Sequence, residues 1–249
     1  MTYLTPALWI MAAVAAALAS GWAFRAAAAA LAPRDMARAL KGAPLTAGFG
    51  MLVILVYILV AIFAPVLAPH PERQVVGGEF LPWDDVYLLG TDSLGRDMLS
   101  RMIYGARNTV GIAFATTALA FSLGAGLGLL AAAVGGWLDQ VLSRSVDVLM
   151  AIPSLIFSLL LLSIFGTSVA TLILVIAVID ATRVFRLARS VAQGIVVMDY
   201  IEAARLRGEG LLRLIWREIL PNALAPLVAE FGLRFCFVFL TISALPSRF

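Results

Sequence analysis

Apolar residues run along this chain in long unbroken blocks, without the two-residue alternation of a half-buried strand. Crossing a hydrocarbon core of about 30 Å takes roughly 20 helical residues. Five blocks reach or approach that length, at about 7–24, 49–67, 109–134, 148–166 and 222–245. A sixth, about 168–188, carries Asp180, Arg183 and Arg186 in its second half and predicts a helix whose last turns leave the bilayer. The pattern predicts an all-α fold, a polytopic transmembrane bundle of about six helices.

One stretch breaks this pattern. Residues 200–222, YIEAARLRGEGLLRLIWREILPN, hold four arginines and three glutamates in a chain with only 13% charged residues. Asp199 followed by Glu202 has the form of a capping box, which predicts a helix start. Gly208 predicts its end, because glycine adopts the left-handed conformation at little steric cost. Beyond it Leu211, Leu214, Ile215 and Ile219 recur at helical spacing, with Glu209, Arg213 and Arg217 on another face. A second helix is expected there, bending at Pro221 into the next span. The segment is too amphipathic to enter the bilayer, and by composition alone it suits a surface helix whose arginines meet anionic lipid.

Composition agrees. The 249 residues are 62% hydrophobic with a mean hydropathy of +1.00, outside the range of ordinary soluble domains. The net charge of +3 and pI near 9.4 would suggest nucleic acid in a soluble protein. Here the arginines cluster beside spans, which signals membrane orientation and no nucleic acid. The single cysteine, Cys236, lies in an apolar block and the single histidine, His70, in a loop, so neither a disulfide framework nor a Cys/His metal cluster can be built.

Segment 7–24 lacks the leading positive charge of a signal peptide and is followed by Arg25, Arg34, Arg38 and Lys41. It is expected to stay as a span, with the N-terminus outside and 25–48 in the cytoplasm. Counting onward places 68–108 outside, 135–147 inside and 189–221 inside. The charged stretch is thus cytoplasmic.

At these residues the chain resembles the permease subunits of ATP-binding-cassette importers. Their cytoplasmic loop motif, Glu-Ala-Ala, three residues, Gly and later Leu-Pro, is matched by Glu202, Ala203, Ala204, Gly208, Leu220 and Pro221. LGTDSLGRDMLSRMIYGAR at 89–107 and GGWLDQVLSRSVDVLMAIPSL at 135–155 are similar to the C-type permease of the dipeptide, oligopeptide and nickel branch. The resemblance implies a type I importer permease fold over 49–249, preceded at 1–48 by an additional helix and cytoplasmic linker. It implies that the loop is a coupling helix docking on a separate ATPase. It also implies partners: a second homologous permease, two ATPase subunits and an extracytoplasmic binding protein, in a bacterial inner membrane. No cofactor is expected in this chain, which contains no G-x-x-x-x-G-K-[ST]; its one lysine is Lys41. ATP is then hydrolysed by a partner, and the chain is not itself an enzyme.

Within the spans, Gly124, Gly126 and Gly128 are read as helix packing positions. Asp92, Arg96, Asp97 and Arg101 suit a short external helix with an Asp97–Arg101 pair, and no site is assigned there. Glu230 and Arg234, four apart inside the last span, are either a self-neutralising pair or the lining of a substrate pathway. The family pattern has no equivalent of 7–24 and continues past ISALPSRF into a final span, so these ends depart from it. The resemblance implies di- or oligopeptide uptake, with nickel, opines or another small solute as alternatives. The rival class is a membrane scaffold that binds an ATPase without transport. An intramembrane hydrolase fits poorly, since no span carries a histidine and no acidic pair stands at matched depth.

Overall fold

The computed structural model describes residues 4–31, 33, 37–38, 41–42 and 44–244; Arg34 and residues 245–249 lie outside them. Among the described residues there is no β-strand, and the chain forms two compact units, 1–108 and 109–249.

In the first unit, α1 (Leu4–Leu31) and α2 (Leu45–Leu67) contain the expected spans 7–24 and 49–67. Their backbones touch. A Cβ on Gly21 would lie 2.6 Å from the Phe49 amide nitrogen, and one on Gly48 2.5 Å from the Gly21 carbonyl oxygen. Small residues let membrane helices approach this closely, where dispersion between backbones replaces the hydrophobic effect that lipid cannot supply. Most apolar side chains of α2 are exposed, Ile62 at 63% among them, as expected of a helix solvated by acyl chains.

The loop from 68 to 97 is tied together by one buried carboxylate. Asp92 accepts from the amides of Leu94 (2.8 Å) and Arg96 (2.9 Å) and pairs with the guanidinium groups of Arg96 and Arg101. Burial disfavours its charged form, but the two amides and the Arg96 guanidinium outweigh that and hold its pKa at about 2. The expected Asp97–Arg101 pair is not what forms. Arg101 goes to Asp92, while Asp97 accepts from the Ser100 amide and hydroxyl at the start of α3 (Met98–Val134). Asp97 therefore caps the helix, satisfying amides that have no intrahelical partner. The block at 89–107 is not a separate short helix: α3 begins eleven residues before the apolar block at 109, and its 37 residues are about 55 Å long at 1.5 Å each.

The second unit contains the rest of α3, then α4 (Gly136–Ala151), α5 (Ser154–Phe165) and α6 (Val169–Val196). The block 148–166, expected as one span, is broken: α4 and α5 meet at 88°. Pro153 is the cause, since it has no amide hydrogen and pushes Ile152 out of the helical region, to φ −84° and ψ 126°. Ser168 caps α6 by accepting from the Thr171 amide at 3.2 Å. Helix α6 runs eight residues beyond the predicted 188, with Asp180 and Thr182 buried along it. Three helices among the described residues are long and apolar enough to cross a membrane, Leu45–Leu67, Met98–Val134 and Leu211–Ile242, and the α4–α5 pair makes a fourth if it crosses as one broken span.

Helices α3 and α6 meet at Gly124 and Gly128. A Cβ at Gly124 would press on the Ala181 carbonyl and stand 2.8 Å from the Val184 Cβ, and one at Gly128 would lie 2.7 Å from the Phe185 carbonyl oxygen. Gly126 faces open space, so the reading of all three glycines as packing positions holds for two. The adjoining core is rich in alanine: Ala132, Ala133, Ala188, Ala192, Ala204 and Ala223, with Leu129, Ile201, Leu214 and Ile219.

Candidate functional site

The amphipathic stretch folds into α7 (Asp199–Leu206), α8 (Leu211–Leu214), a π-helical turn (Ile215–Ile219) and α9 (Leu220–Ala244). The capping box is not formed. Met198 is the N-cap, and Asp199 and Glu202 lie within the first turn without a side-chain cap bond. Their negative charge still opposes the positive end of the helix dipole. The stop at Gly208 holds: its φ is +77°, the Gly208 amide donates to the Arg205 carbonyl at 2.9 Å, and the Glu209 amide to that of Ala204 at 3.2 Å. This pair of bonds is the Schellman closure that glycine permits.

The expected bend at Pro221 takes a different form. Helix runs on from Leu211 to Ile242, and the five residues before the proline's own turn widen to π geometry. Pro221 cannot donate to the Arg217 carbonyl, and its ring crowds that oxygen; an i→i−5 turn relieves both. The Leu220 amide accordingly donates to the Ile215 carbonyl, and the Asn222 side-chain amide donates to that of Glu218 at 2.7 Å.

The motif residues thus divide into two groups. Ala204 is fully buried, as is its neighbour Ile201, and both anchor α7 on the alanine-rich core. Glu202, Ala203 and Gly208 are exposed, as is Pro221, while Leu220 is half-buried. Around them stand side chains that the motif does not name: Leu206 is 82% exposed and Trp216 67%, interleaved with exposed Arg205, Arg207, Arg213 and Arg217. An apolar patch rimmed by cations resembles the anatomy of a protein interface more than that of a lipid-facing helix. An exposed tryptophan two residues past a buried leucine was visible in the sequence and is the signal that could have found this patch.

Arg205 also reaches back into its own chain, its Nη2 donating to the Ala133 carbonyl at 3.0 Å. A second link lies close by in sequence, where Arg189 of α6 forms a two-pronged pair with Asp139 of α4, the Nη2–Oδ2 distance being 2.7 Å.

Glu230 and Arg234 do pair, Nε to Oε1 at 2.5 Å, with side chains only 15% and 18% exposed. They are not alone. Arg234 Nη1 lies 4.0 Å from Asp180 Oδ1, which is 3.4 Å from Arg183 Nη1, and the Phe237 ring lies 5.8 Å from the Arg234 guanidinium carbon. The expectation of no two acids at matched depth is therefore corrected: Asp180 and Glu230, fifty residues apart, converge on one guanidinium. Periodicity within either helix carries no sign of that meeting. Two acids and two arginines make the group neutral, which lowers the cost of holding charge inside a span. Asp180 is 8% exposed, while Arg183, its nearest cation at 3.4 Å, is 43% exposed. Arg183 also lines a cavity of about 110 Å³ at the α4–α5 break, with Met150, Pro153, Phe157 and Thr182.

Residues 124–247, which include the charged stretch and both members of the Glu230–Arg234 pair, match the family described as binding-protein-dependent transport system inner membrane component. Residues 34–82, which include α2, match the N-terminal transmembrane domain of oligopeptide transport permease C. The dipeptide transport system permease protein DppC of Haemophilus influenzae is 39% identical over 188 residues, covering 73% of this chain and 64% of that protein. DppC of Alkalihalophilus pseudofirmus is 33% identical over 202 residues, 79% of this chain and 65% of that one. DppC of Escherichia coli is 36% identical over 203 residues, 79% and 68%. The chain spans just under two thirds of the length of the first two of these relatives. With identity of this degree and a match over the charged stretch, the chain is an integral membrane protein that belongs to the family of binding-protein-dependent transport system inner membrane components.

Proposed function

We propose that the chain is a permease subunit of an ATP-driven importer, lining the substrate path with a homologous permease in a bacterial inner membrane. Separate ATPase subunits drive it, an extracytoplasmic binding protein delivers its substrate, and the cargo is a di- or oligopeptide. The relatives named as dipeptide permeases support the substrate class. The observation that carries the reading is the α7 segment: anchored by Ile201 and Ala204, closed at Gly208, and presenting Leu206, Trp216, Arg207, Arg213 and Arg217 outward. A surface that receives force needs both the rigid anchor and the exposed, partly apolar face. ATP-driven closure shifts the spans between inward and outward openings only if this face fits the ATPase differently in the two states.

The Asp180, Arg183, Glu230 and Arg234 group is proposed to face that path, where its mixed charge suits the two termini of a peptide zwitterion. Affinity purification of the tagged chain in mild detergent tests the central claim. A second permease and an ATPase bearing the phosphate-binding G-x-x-x-x-G-K-[ST] motif should come down with the wild type, and the ATPase should be lost from Gly208→Arg. Absence of an ATPase from the wild type would refute the reading. An ATPase that binds without any chain-dependent uptake of labelled dipeptide would favour the scaffold.

A further inference from the structure

We propose that Arg205 is a positioning residue for coupling, one that locks α7 in register with the cytoplasmic end of α3 so that the two move as one body. This rests on the importer reading above and adds to it the route by which movement of α7 enters the spans.

The packed core leaves one freedom open. Ile201 and Ala204 of α7 lie in the same buried cluster as Leu129, Ala132 and Ala133 of α3. Alanine contacts are short and non-directional, so they set how close the two helices lie and place little restraint on sliding or rotation. A hydrogen bond to a single atom does restrain them. The Ala133 carbonyl is among the last four of α3 and has no intrahelical donor, because the chain leaves the helix at Gly135, whose amide turns back to Ala131 at 2.8 Å. That carbonyl sits at the negative end of the helix dipole, where a cation is favoured. Arg205 Nη2 reaches it at 3.0 Å across 72 residues of sequence.

The corner is held from the other side as well. Just past Gly135 and Gly136, Asp139 takes the two-pronged pair from Arg189 of α6. Residues 133–139 are therefore gripped by one arginine from α7 and one from α6, and a bidentate guanidinium–carboxylate pair fixes orientation as well as distance. Among the arginines of the stretch, Arg207 closes onto Glu209 at 3.0 Å beside Gly208. Arg205 is thus the one for which the structure gives a bond to another helix. Its neighbours on the same helix face outward, so the residue that would transmit a push lies directly beside those that would receive it.

The test uses the assembled importer in lipid, with Arg205→Met, which keeps the length and loses the donors, and Arg205→Lys, which keeps a cation. Uptake of labelled dipeptide and ATP hydrolysis are measured on the same preparation. If Arg205 positions α7, Arg205→Met retains its ATPase subunits and hydrolyses ATP while dipeptide moved per ATP falls roughly 5- to 150-fold, and Arg205→Lys recovers part of the loss. Unchanged transport per ATP in Arg205→Met overturns the proposal, as does loss of the ATPase subunits from that variant, which would make Arg205 a docking contact. A second measurement keeps Arg205 intact: spin labels on Tyr200→Cys and Val134→Cys, in a Cys236→Ser background, report the distance between α7 and the end of α3. That distance should be the same without nucleotide and with ATP trapped; a change of more than about 5 Å, one helical turn, overturns the proposal. A wild-type assembly that holds no ATPase or moves no dipeptide overturns the importer reading and this proposal with it. Normal wild-type transport alongside a normal Arg205→Met variant overturns only the latter.

Discussion

The contact between α3 and α6 allows a prediction in which two chemically identical substitutions should have opposite signs. Gly124 and Gly126 lie two residues apart in one helix, and alanine at either replaces the poorest ordinary helix former with the best, a gain of about 1 kcal/mol. Their surroundings differ. At Gly126 a new Cβ has nothing within 4 Å, so the gain should appear in full. At Gly124 it would stand 2.8 Å from the Val184 Cβ and 3.0 Å from the Phe185 amide nitrogen, and closer still to the Ala181 carbonyl. Two of those three atoms are backbone, which cannot rotate aside, so α6 must move away bodily along the line of contact. Overpacking of this kind costs typically about 1–3 kcal/mol. The propensity gain is common to both variants and cancels between them, leaving a gap of about 1–3 kcal/mol, or roughly 2–12 °C in midpoint for a chain of this size. Thermal unfolding of the two variants in the same detergent, followed by size-exclusion fluorescence, measures it directly. Gly126→Ala should melt at or above the wild type and Gly124→Ala below Gly126→Ala. Equal midpoints would refute the close approach of α3 and α6, and the reversed order would refute the assignment of which glycine faces α6.

Three further outcomes are expected. The Asp92 carboxyl has its pKa held at about 2 in the folded chain against an ordinary value of 3.8, so its contribution to stability is complete above pH 3.8 and is lost as pH falls through about 2; the melting advantage of wild type over Asp92→Asn should therefore be level above about pH 4 and shrink between pH 4 and 2, and a constant advantage down to pH 2 would count against it. Breaking the Asp139–Arg189 pair by Asp139→Asn should cost about 1.5–3 kcal/mol, the range for hydrogen bonds to charged groups, and the exchanged double variant Asp139→Arg with Arg189→Asp should recover part of that in the same melt. Replacing Glu230 with Gln and Arg234 with Leu together should abolish dipeptide uptake while assembly with the partner subunits survives; retained uptake would assign the pair to insertion alone.

Much of the architecture was legible in one dimension because lipid imposes a local rule. Every span must satisfy its own backbone and offer apolar side chains over roughly 20 residues, so α2 and α9 could be placed from block length to within a few residues, while α1 runs seven residues past the expected end at 24. Punctuation by special residues was legible for the same reason: the Gly208 stop depends on one residue's own conformational freedom. Where two local signals competed, the outcome needed geometry. The Asp199–Glu202 spacing suggested a capping box, yet the helix begins one residue earlier with Met198 as its cap. Apolar content alone made 148–166 one span, and the proline within it broke it.

By itself, then, the sequence determined an all-helical membrane protein, the position of its charged segment along the chain, and the motif that links it to a family of transport components. Tertiary structure alone decided which partner each charged group takes. Arg101 passes over Asp97, four residues away, for Asp92; Asp180 and Glu230 share Arg234; Arg205 finds a carbonyl 72 residues upstream. The physical reason is range. Helix periodicity and block hydropathy act over a few turns, whereas an ion pair or a single hydrogen bond between helices depends on how the helices cross. That crossing is set by close contacts such as those at Gly124 and Gly128, whose partners on α6 are named nowhere in the local pattern.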